Sequence, residues 1–325
     1  MVYQKKQPVD SLRDGDRVED VFAVKLKRGV QAYAKGYSFH LVLTDGSGKS
    51  IDYKYWGGRD ESRVKALYDS IKADSVVHVQ GRAGSYMDKL QITSNEPDTV
   101  QPLPSGEYNP EDFIPKARRN LDEMWGEVEG FIGRVRGPEV KAVLDRIFGS
   151  KTVKAEFMKR PGAIEIHHNW VGGLMQHTLE VAEYAVLAKK LNSQLDEDLL
   201  IAGALLHDIG KLEEIEVTVR IKGSKKGQLK GHIVLGYGMV SRVMDELGTT
   251  DEVRDKLLHL ILSHHGSQEY GSPKPPMIPE AFAVYYADEL SSKLSEITDY
   301  VEWARKNTED EFMYHRRHGH NILLD

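Results

Sequence analysis

The spacing of apolar residues changes once along this chain, near residue 100, and that change limits the fold more than any other feature. Before it, apolar and polar residues alternate. The stretches "RVEDVFAVKL" (17–26), "YSFHLVLT" (37–44), "KSIDYKYW" (49–56), "SVVHVQGRAGSY" (75–86) and "KLQITS" (89–94) all keep a period of two, which marks strands with one buried face. After it, apolar residues recur every three or four positions, the period of a helix. The chain has 325 residues, enough for more than one domain. An all-β part followed by an all-α part is therefore expected.

Between the third and fourth strands, "DESRVKALYDSIKA" (60–73) reads as a helix. Three strands, a helix and two strands is the order of an OB-fold, a five-stranded barrel that binds oligonucleotides. Further on, helices are expected near 116–134, 138–149, 171–191, 196–211, 232–247, 251–265 and 279–306. "EVTVRIKGSKKGQLKG" (216–231) interrupts them and reads as a small β-hairpin with a basic tip. The domain reading is 1–103 for the OB-fold nucleic-acid-binding domain, 104–115 for a Pro/Gly-punctuated linker, 116–310 for the helical domain and 311–325 for a basic C-terminal tail without a site.

Charge sharpens this division slightly. The first 103 residues carry a net +2 and the remainder −8, so a polyanion contact is expected at the N-terminal part. The chain has no cysteine, which excludes disulfides, thiolate catalysis and cysteine-ligated zinc. No run reaches the roughly 20 apolar residues of a membrane helix, and the N-terminus lacks the apolar core of a signal peptide. A cytoplasmic protein with no membrane partner is the expectation, with assembly into a homo-oligomer left open.

The chemistry lies where polar residues occupy apolar faces. His177 shares a face with Leu174 and Val181. Asp208 shares one with Ile201, Ala204 and Leu205. His264 follows Leu257, Leu260 and Ile261, and Asp288 follows Ala281, Val284 and Tyr285. His232 opens a helix whose next turn holds Leu235 and Gly236. One such residue is an ordinary satisfied core group. Five helices each sending a His or Asp inward, with His207 next to Asp208, point instead to a metal centre, because a buried carboxylate needs a cation or a partner. Imidazoles and carboxylates without thiolates suit Mn, Fe, Ni, Co or Zn in an open hydrolytic site.

The order His177, His207-Asp208, His232, His264-His265, Asp288 resembles the HD-domain metal-dependent phosphohydrolases, and the additional histidines resemble their dinuclear branch. The stretches "IHHNWVGGLMQHTLEV" (166–181), "ALLHDIGKLEE" (204–214), "GHIVLG" (231–236), "LSHHGSQEYGSPKPPMIPEA" (262–281) and "ADELSSKL" (287–294) look like the YhaM-type 3′→5′ exoribonucleases, which place an OB-fold before an HD domain. The resemblance covers about residues 10 to 305. It implies hydrolysis of single-stranded RNA, or of single-stranded DNA, from the 3′ end to nucleoside 5′-monophosphates.

That resemblance assigns roles. Asp208 would bridge two divalent cations, with manganese the first expectation. His177, His207 and Asp288 would complete the first cation's ligands, and His232, His264 and His265 would hold the second. Lys211, one turn beyond His207, would bring an ammonium to the phosphate beside Asp208. His167 and His168, in a glycine-containing loop, and Lys159 and Arg160 would face the substrate. In the barrel, Lys25, Lys27, Arg28, Tyr33 and Tyr37 cluster in and around the first inter-strand loop and would track phosphates and stack bases. Phe39 shares parity with Tyr37, Leu41 and Leu43, which favours the core for that set. Two other readings stand beside this one: an HD phosphohydrolase acting on small nucleotides, and a nucleic-acid-binding protein with an inactive HD domain.

Overall fold

The computed structural model describes residues 2–87, 89–95, 97–164 and 168–324. The chain divides into two compact units, residues 1–116 with 216–222, and residues 117–215 with 223–325.

The first unit is a closed barrel. Its strands are β1 (Arg17–Tyr33), β2 (Gly36–Thr44), β3 (Ser50–Trp56), β4 (Val76–Tyr86), β5 (Lys89–Asn95) and β6 (Val100–Leu103), with helix α1 (Glu61–Ser70) between β3 and β4. The sheet runs β1-β2-β3-β5-β4, and β4 returns to pair with β1, which closes it. This is the topology expected from the strand order, with β6 added beside β4. Strand β1 reaches both neighbours because it is long. Its first half, Arg17–Ala23, pairs with β4, and its second half pairs with β2 through two register shifts, which bend the strand around the barrel. The inward residues, among them Phe22, Phe39, Leu41, Leu43, Tyr53 and Ile92, are fully buried. Asp60 caps α1 by accepting from the Arg63 N–H.

The length of β1 corrects one expectation. Of the basic and aromatic residues expected in and around a first inter-strand loop, Lys27, Arg28 and Tyr33 lie on β1 beyond its expected end at residue 26, since β1 continues to Tyr33 and only residues 34 and 35 turn. The polar half of β1 keeps strand geometry because β2 pairs with it on both sides of a bulge, at Lys27–Arg28 and Gln31–Tyr33. The segment 216–222 also belongs to this unit. Val219 is buried beside Val21, Ala23, Val76 and Phe113, and Asp74 pairs with both Arg220 and Lys222.

The second unit is helical: α2 (Leu121–Arg134), α3 (Pro138–Phe148), α4 (Lys151–Lys159), α5 (Gly173–Leu191), α6 (Glu197–Leu206), α7 (Lys211–Glu214), α8 (Lys225–Leu247), α9 (Asp251–Ser263) and α10 (Pro279–Arg305). Caps fix many of their starts: Asn120, Ser150, Asp196 and Ser224 each accept from backbone N–H groups of the first turn. Helix α4 escapes the periodicity argument because Phe157 is its one buried residue. The interrupting hairpin is shorter than its expected span, with β7 (Ile215–Val217) and β8 (Ile221–Gly223). The basic stretch that followed is the start of α8, because Ser224 caps a helix there. Helix α5 packs against α6 and α10, and α8 against α9, around a core that includes Leu174, Leu179, Leu200, Leu205, Leu260 and Val284. The last residues form a second hairpin, β9 (Phe312–His315) and β10 (His320–Leu323). The Tyr300 hydroxyl and the Arg305 guanidinium, both on α10, donate to carbonyls of Tyr314 and Leu324.

Candidate metal centre

Five helical segments deliver ligand-type side chains to one place. Helix α5 carries His177. Helix α6 ends at Leu206, and the chain then tightens into three-residue hydrogen bonds, Ile209 N–H to Leu206 O and Lys211 N–H to Asp208 O. Adjacent residues on an α-helix point about 100° apart. Both His207 and Asp208 nonetheless reach the centre, with Nε2 and Oδ2 3.4 Å apart. Gly210 follows because nothing larger fits: a Cβ there would sit 1.9 Å from the His232 carbonyl oxygen. Gly231, with φ +72°, breaks α8 just before His232, a conformation that glycine adopts readily. Helix α9 ends at Ser263, directly before His264 and His265, and α10 supplies Asp288.

The two oxygens of Asp208 face different groups. Oδ2 lies 3.5 Å from His177 Nε2 and 3.4 Å from His207 Nε2. Oδ1 lies 3.4 Å from His232 Nε2 and 3.7 Å from His264 Nε2. Asp288 Oδ1 is 3.0 Å from His177 Nε2. The donors thus form two groups, His177 with His207 and Asp208, and His232 with His264 and His265, each within 4.8 Å. Asp208 stands between them.

The imidazoles are oriented from behind. His207 Nδ1 lies 2.7 Å from Ala204 O, His264 Nδ1 2.7 Å from Ile261 O, and His265 Nδ1 2.9 Å from Tyr270 O. A carbonyl only accepts, so each Nδ1 carries the proton and each neutral ring presents a bare Nε2. His232 Nδ1 is held 3.1 Å from the Glu214 carboxylate, which also accepts from the His232 backbone N–H at 2.9 Å. His177 Nδ1 lies 2.9 Å from the Ser291 hydroxyl. Asp208 Oδ1, His232 Nε2 and His264 Nε2 are buried and have no hydrogen-bond partner among the described residues. Three orphaned, converging atoms of ligand type are costly unless a cation satisfies them. The donor set fits a hard or borderline divalent ion.

Electrostatics favours the ligating protonation state at each of these groups except His207. Burial lowers the His264 imidazole well below its ordinary value, and the neighbouring His265 and His207 rings lower it further. Burial likewise lowers His177, against the pull of Asp288, and lowers His265. Burial would also lower His207, but the charge of Asp208 and its bond raise it overall. Burial would raise Asp208, yet Lys211, His207 and His232 hold its carboxylate well below the usual range. Asp288 is held low, against burial, by its bond to His177 and that ring's charge.

The HD-domain family model matches residues 174–293, the stretch that carries the seven ligand-type residues. The 3′-5′ exoribonuclease YhaM of Bacillus subtilis (strain 168) is 32% identical over 283 residues, covering 86% of this chain and 86% of that protein. The chain belongs to the YhaM exoribonuclease family. The YhaM of Geobacillus sp. (strain WCH70) is 29% identical and covers 92% of this chain and 90% of its own. Among solved structures, the second OB-fold domain of replication protein A from Methanococcus maripaludis overlaps weakly, with a TM-score of 0.25 at 17% identity over 31% of this chain and 94% of that one. The barrel is recognised from its own topology instead.

The residues expected to meet substrate are more scattered than the ligands. Lys211 is at the centre, its Nζ 2.6 Å from Asp208 Oδ2. His168 is buried, with φ +53°, and its Nε2 lies 3.1 Å from Glu180. His167 lies outside the described residues. Lys159 is exposed. Arg160 is buried and bonded to Glu156 and the Ile215 carbonyl, so its guanidinium is engaged within the fold. In the barrel, Arg28 is exposed and Lys25 half-buried. Lys27 donates to the carbonyls of Tyr68 and Ile71 at the end of α1. Tyr37 is half-buried while Phe39, Leu41 and Leu43 are in the core. Tyr33 packs edge-on to Trp56, 4.7 Å between ring centroids, and Lys54 lies 3.8 Å over the Trp56 ring. Sequence reasoning did not single out Glu214, Glu180 or Ser291. The spacings of three between His177 and Glu180, and between Asp288 and Ser291, were a signal that one helical face continued.

Proposed function

We propose that this chain is a metal-dependent exonuclease that removes nucleotides from the 3′ end of single-stranded RNA. The observation that carries this reading is the division of the Asp208 carboxylate, with Oδ2 toward His177 and His207 and Oδ1 toward His232 and His264. One carboxylate with two oxygens can serve two cations, while an imidazole cannot bridge. We assign His177, His207, Asp208 and Asp288 to the first and Asp208, His232, His264 and His265 to the second, with manganese the first choice and iron, cobalt, nickel or zinc the others.

Bound cations would supply Lewis acidity to the phosphodiester and lower the pKa of a water for attack. The chain's own residues do the rest. Burial lowers the Lys211 ammonium, but the Asp208 carboxylate more than reverses this and leaves it raised. Lys211 therefore stays charged and would steady a phosphate oxygen. His232, His265 and Lys211 are half-buried whereas His177, His207 and His264 are buried, so the substrate end would arrive on the side of the second group. On the barrel, exposed Arg28 and Lys35, with Lys54 over Trp56, have the chemistry to follow a single strand. A cytoplasmic location completes the proposal.

The test is end-labelled RNA, end-labelled single-stranded DNA and free mononucleotides incubated with the protein and Mn²⁺, Mg²⁺ or a chelator. Stepwise shortening of the RNA with release of 5′-monophosphates, abolished by chelator, is expected. Turnover of mononucleotides alone would favour the small-nucleotide phosphohydrolase.

A further inference from the structure

Four of the five imidazoles at the centre have an Nδ1 held by a carbonyl or a carboxylate, groups that leave no choice of tautomer. His177 differs, because its Nδ1 meets a hydroxyl, which can donate or accept. The Ser291 Oγ donates to Glu180 Oε2 at 2.7 Å. A serine has one proton, so toward His177, 2.9 Å away, Ser291 can only accept. Glu180 is held in place in turn by His168 Nε2 at 3.1 Å and by the Gln176 amide at 3.1 Å. Burial would raise the Glu180 carboxyl, but the bonds from His168, Ser291 and Gln176 bring it down to about 2, so it accepts and does not donate.

We propose that Glu180 and Ser291 are positioning residues that bias His177 toward a proton on Nδ1, against the pull of Asp288 Oδ1 3.0 Å from Nε2, so that Nε2 is left for the first cation. The proposal rests on the metal-centre reading above. Its geometry is economical. Helix α5 supplies His177 and, three residues on, Glu180. Helix α10 supplies Asp288 and, three residues on, Ser291. Residues three apart share a helical face, so each helix brings one ligand and one support for His177. The cluster of Glu296, His315 and His318 near the C-terminus makes a contrast. There the His318 backbone N–H donates to His315 Nδ1 at 3.3 Å. The proton of a neutral His315 ring then sits on Nε2, the opposite of a ligating tautomer, so metal-type residues in proximity are not enough.

The test has two readouts. The first is Mn²⁺ binding, followed by calorimetry, to wild type, Ser291→Ala, Glu180→Ala and Glu180→Gln. Supporting residues behind a metal-bound His typically contribute about 10–100-fold in affinity. Ser291→Ala and Glu180→Ala should weaken the first cation by that factor and leave the second within about threefold. Glu180→Gln, similar in shape but neutral, should fall between them and wild type. Unchanged affinities in folded variants would overturn the proposal, and so would Glu180→Gln equal to wild type if the alanine variants fail to fold. The second readout is independent of metal: ¹⁵N shifts of histidine-labelled, chelator-treated protein, with His177 assigned by its loss in His177→Gln. Wild type should show more of the Nδ1–H tautomer at His177 than Ser291→Ala, in which Asp288 Oδ1, 3.0 Å from Nε2, is the remaining acceptor. The same tautomer mixture in both would sink the proposal. A wild type with the expected tautomer that binds fewer than two cations would instead fault the dinuclear reading.

Discussion

Gly210 lies directly under the backbone of His232, so close that a Cβ at position 210 would stand 1.9 Å from the His232 carbonyl oxygen and 2.5 Å from the Gly236 N. The residue two places after Asp208 thus sets where the second group of ligands begins. Gly210→Ala should push His232 away from Asp208 Oδ1, from which its Nε2 is now 3.4 Å. We expect a folded protein that keeps the first cation, loses the second and loses most of its turnover. Mn²⁺ stoichiometry by elemental analysis checks this, and two retained cations would show that the contact is slack.

Asp208→Asn tests the proposed bridge. The substitution keeps size but removes the charge shared by both ligand groups, and it leaves the half-buried Lys211 beside a neutral amide. Turnover on RNA should fall by about three orders of magnitude, roughly 4 kcal/mol of barrier, with helical content preserved by circular dichroism. Activity above a few per cent of wild type at saturating Mn²⁺ would remove Asp208 from the bridging role.

The double variant His232→Ala, His264→Ala should bind one Mn²⁺ where wild type binds two. The group of His177, His207 and Asp288 is untouched, so the fold and the first cation should survive. A wild type that binds one cation in excess Mn²⁺ would recast His264 and His265 as ligands of the substrate phosphate.

On the barrel, the pair of Trp56 and Lys54 can be separated by salt. Trp56→Ala should cost about 1–3 kcal/mol in binding to single-stranded RNA without altering the salt dependence, as expected for base stacking. Lys54→Ala and Arg28→Ala should each reduce the slope of log K against log salt by about 0.7, one phosphate contact on a single strand. Fluorescence anisotropy at several salt concentrations distinguishes these, and unchanged slopes in both lysine and arginine variants would take the strand elsewhere.

Asp74, in the barrel unit, provides a pH test. Burial would raise its carboxyl, but bonds from Lys222 and Arg220 hold it below its ordinary value. A carboxyl whose folded value is lowered binds fewer protons folded than unfolded. Its contribution is therefore complete above the unfolded value and is lost as pH falls through the folded one. Wild type should exceed Asp74→Asn by about 1 kcal/mol at neutral pH, or about 2–4 °C in melting midpoint. The gap should close below about pH 4. A gap independent of pH between 7 and 3 would mean that the pairing with segment 216–222 is not ionic.

Much of this protein was determined by the sequence alone. The change of period near residue 100 separates strands from helices because burial of one face requires it, whatever the partner. The same argument placed His177, Asp208, His264 and Asp288 among core positions, since each falls on the apolar stripe of its helix. Family resemblance then named the set. What periodicity reports is a face, and it cannot report what that face meets. The continuation of β1 to Tyr33 was hidden because its outer half is polar on most positions, and only pairing with β2 keeps it extended. The division of the Asp208 oxygens, the approach of Gly210 to His232, and the support of His232 by Glu214 all depend on contacts between separate helices. Ser291 reaches His177 across 114 residues of chain. Hydrogen bonds of that kind need positions fixed to a few tenths of an ångström, and the packing of α5 against α10, not any local spacing, provides them.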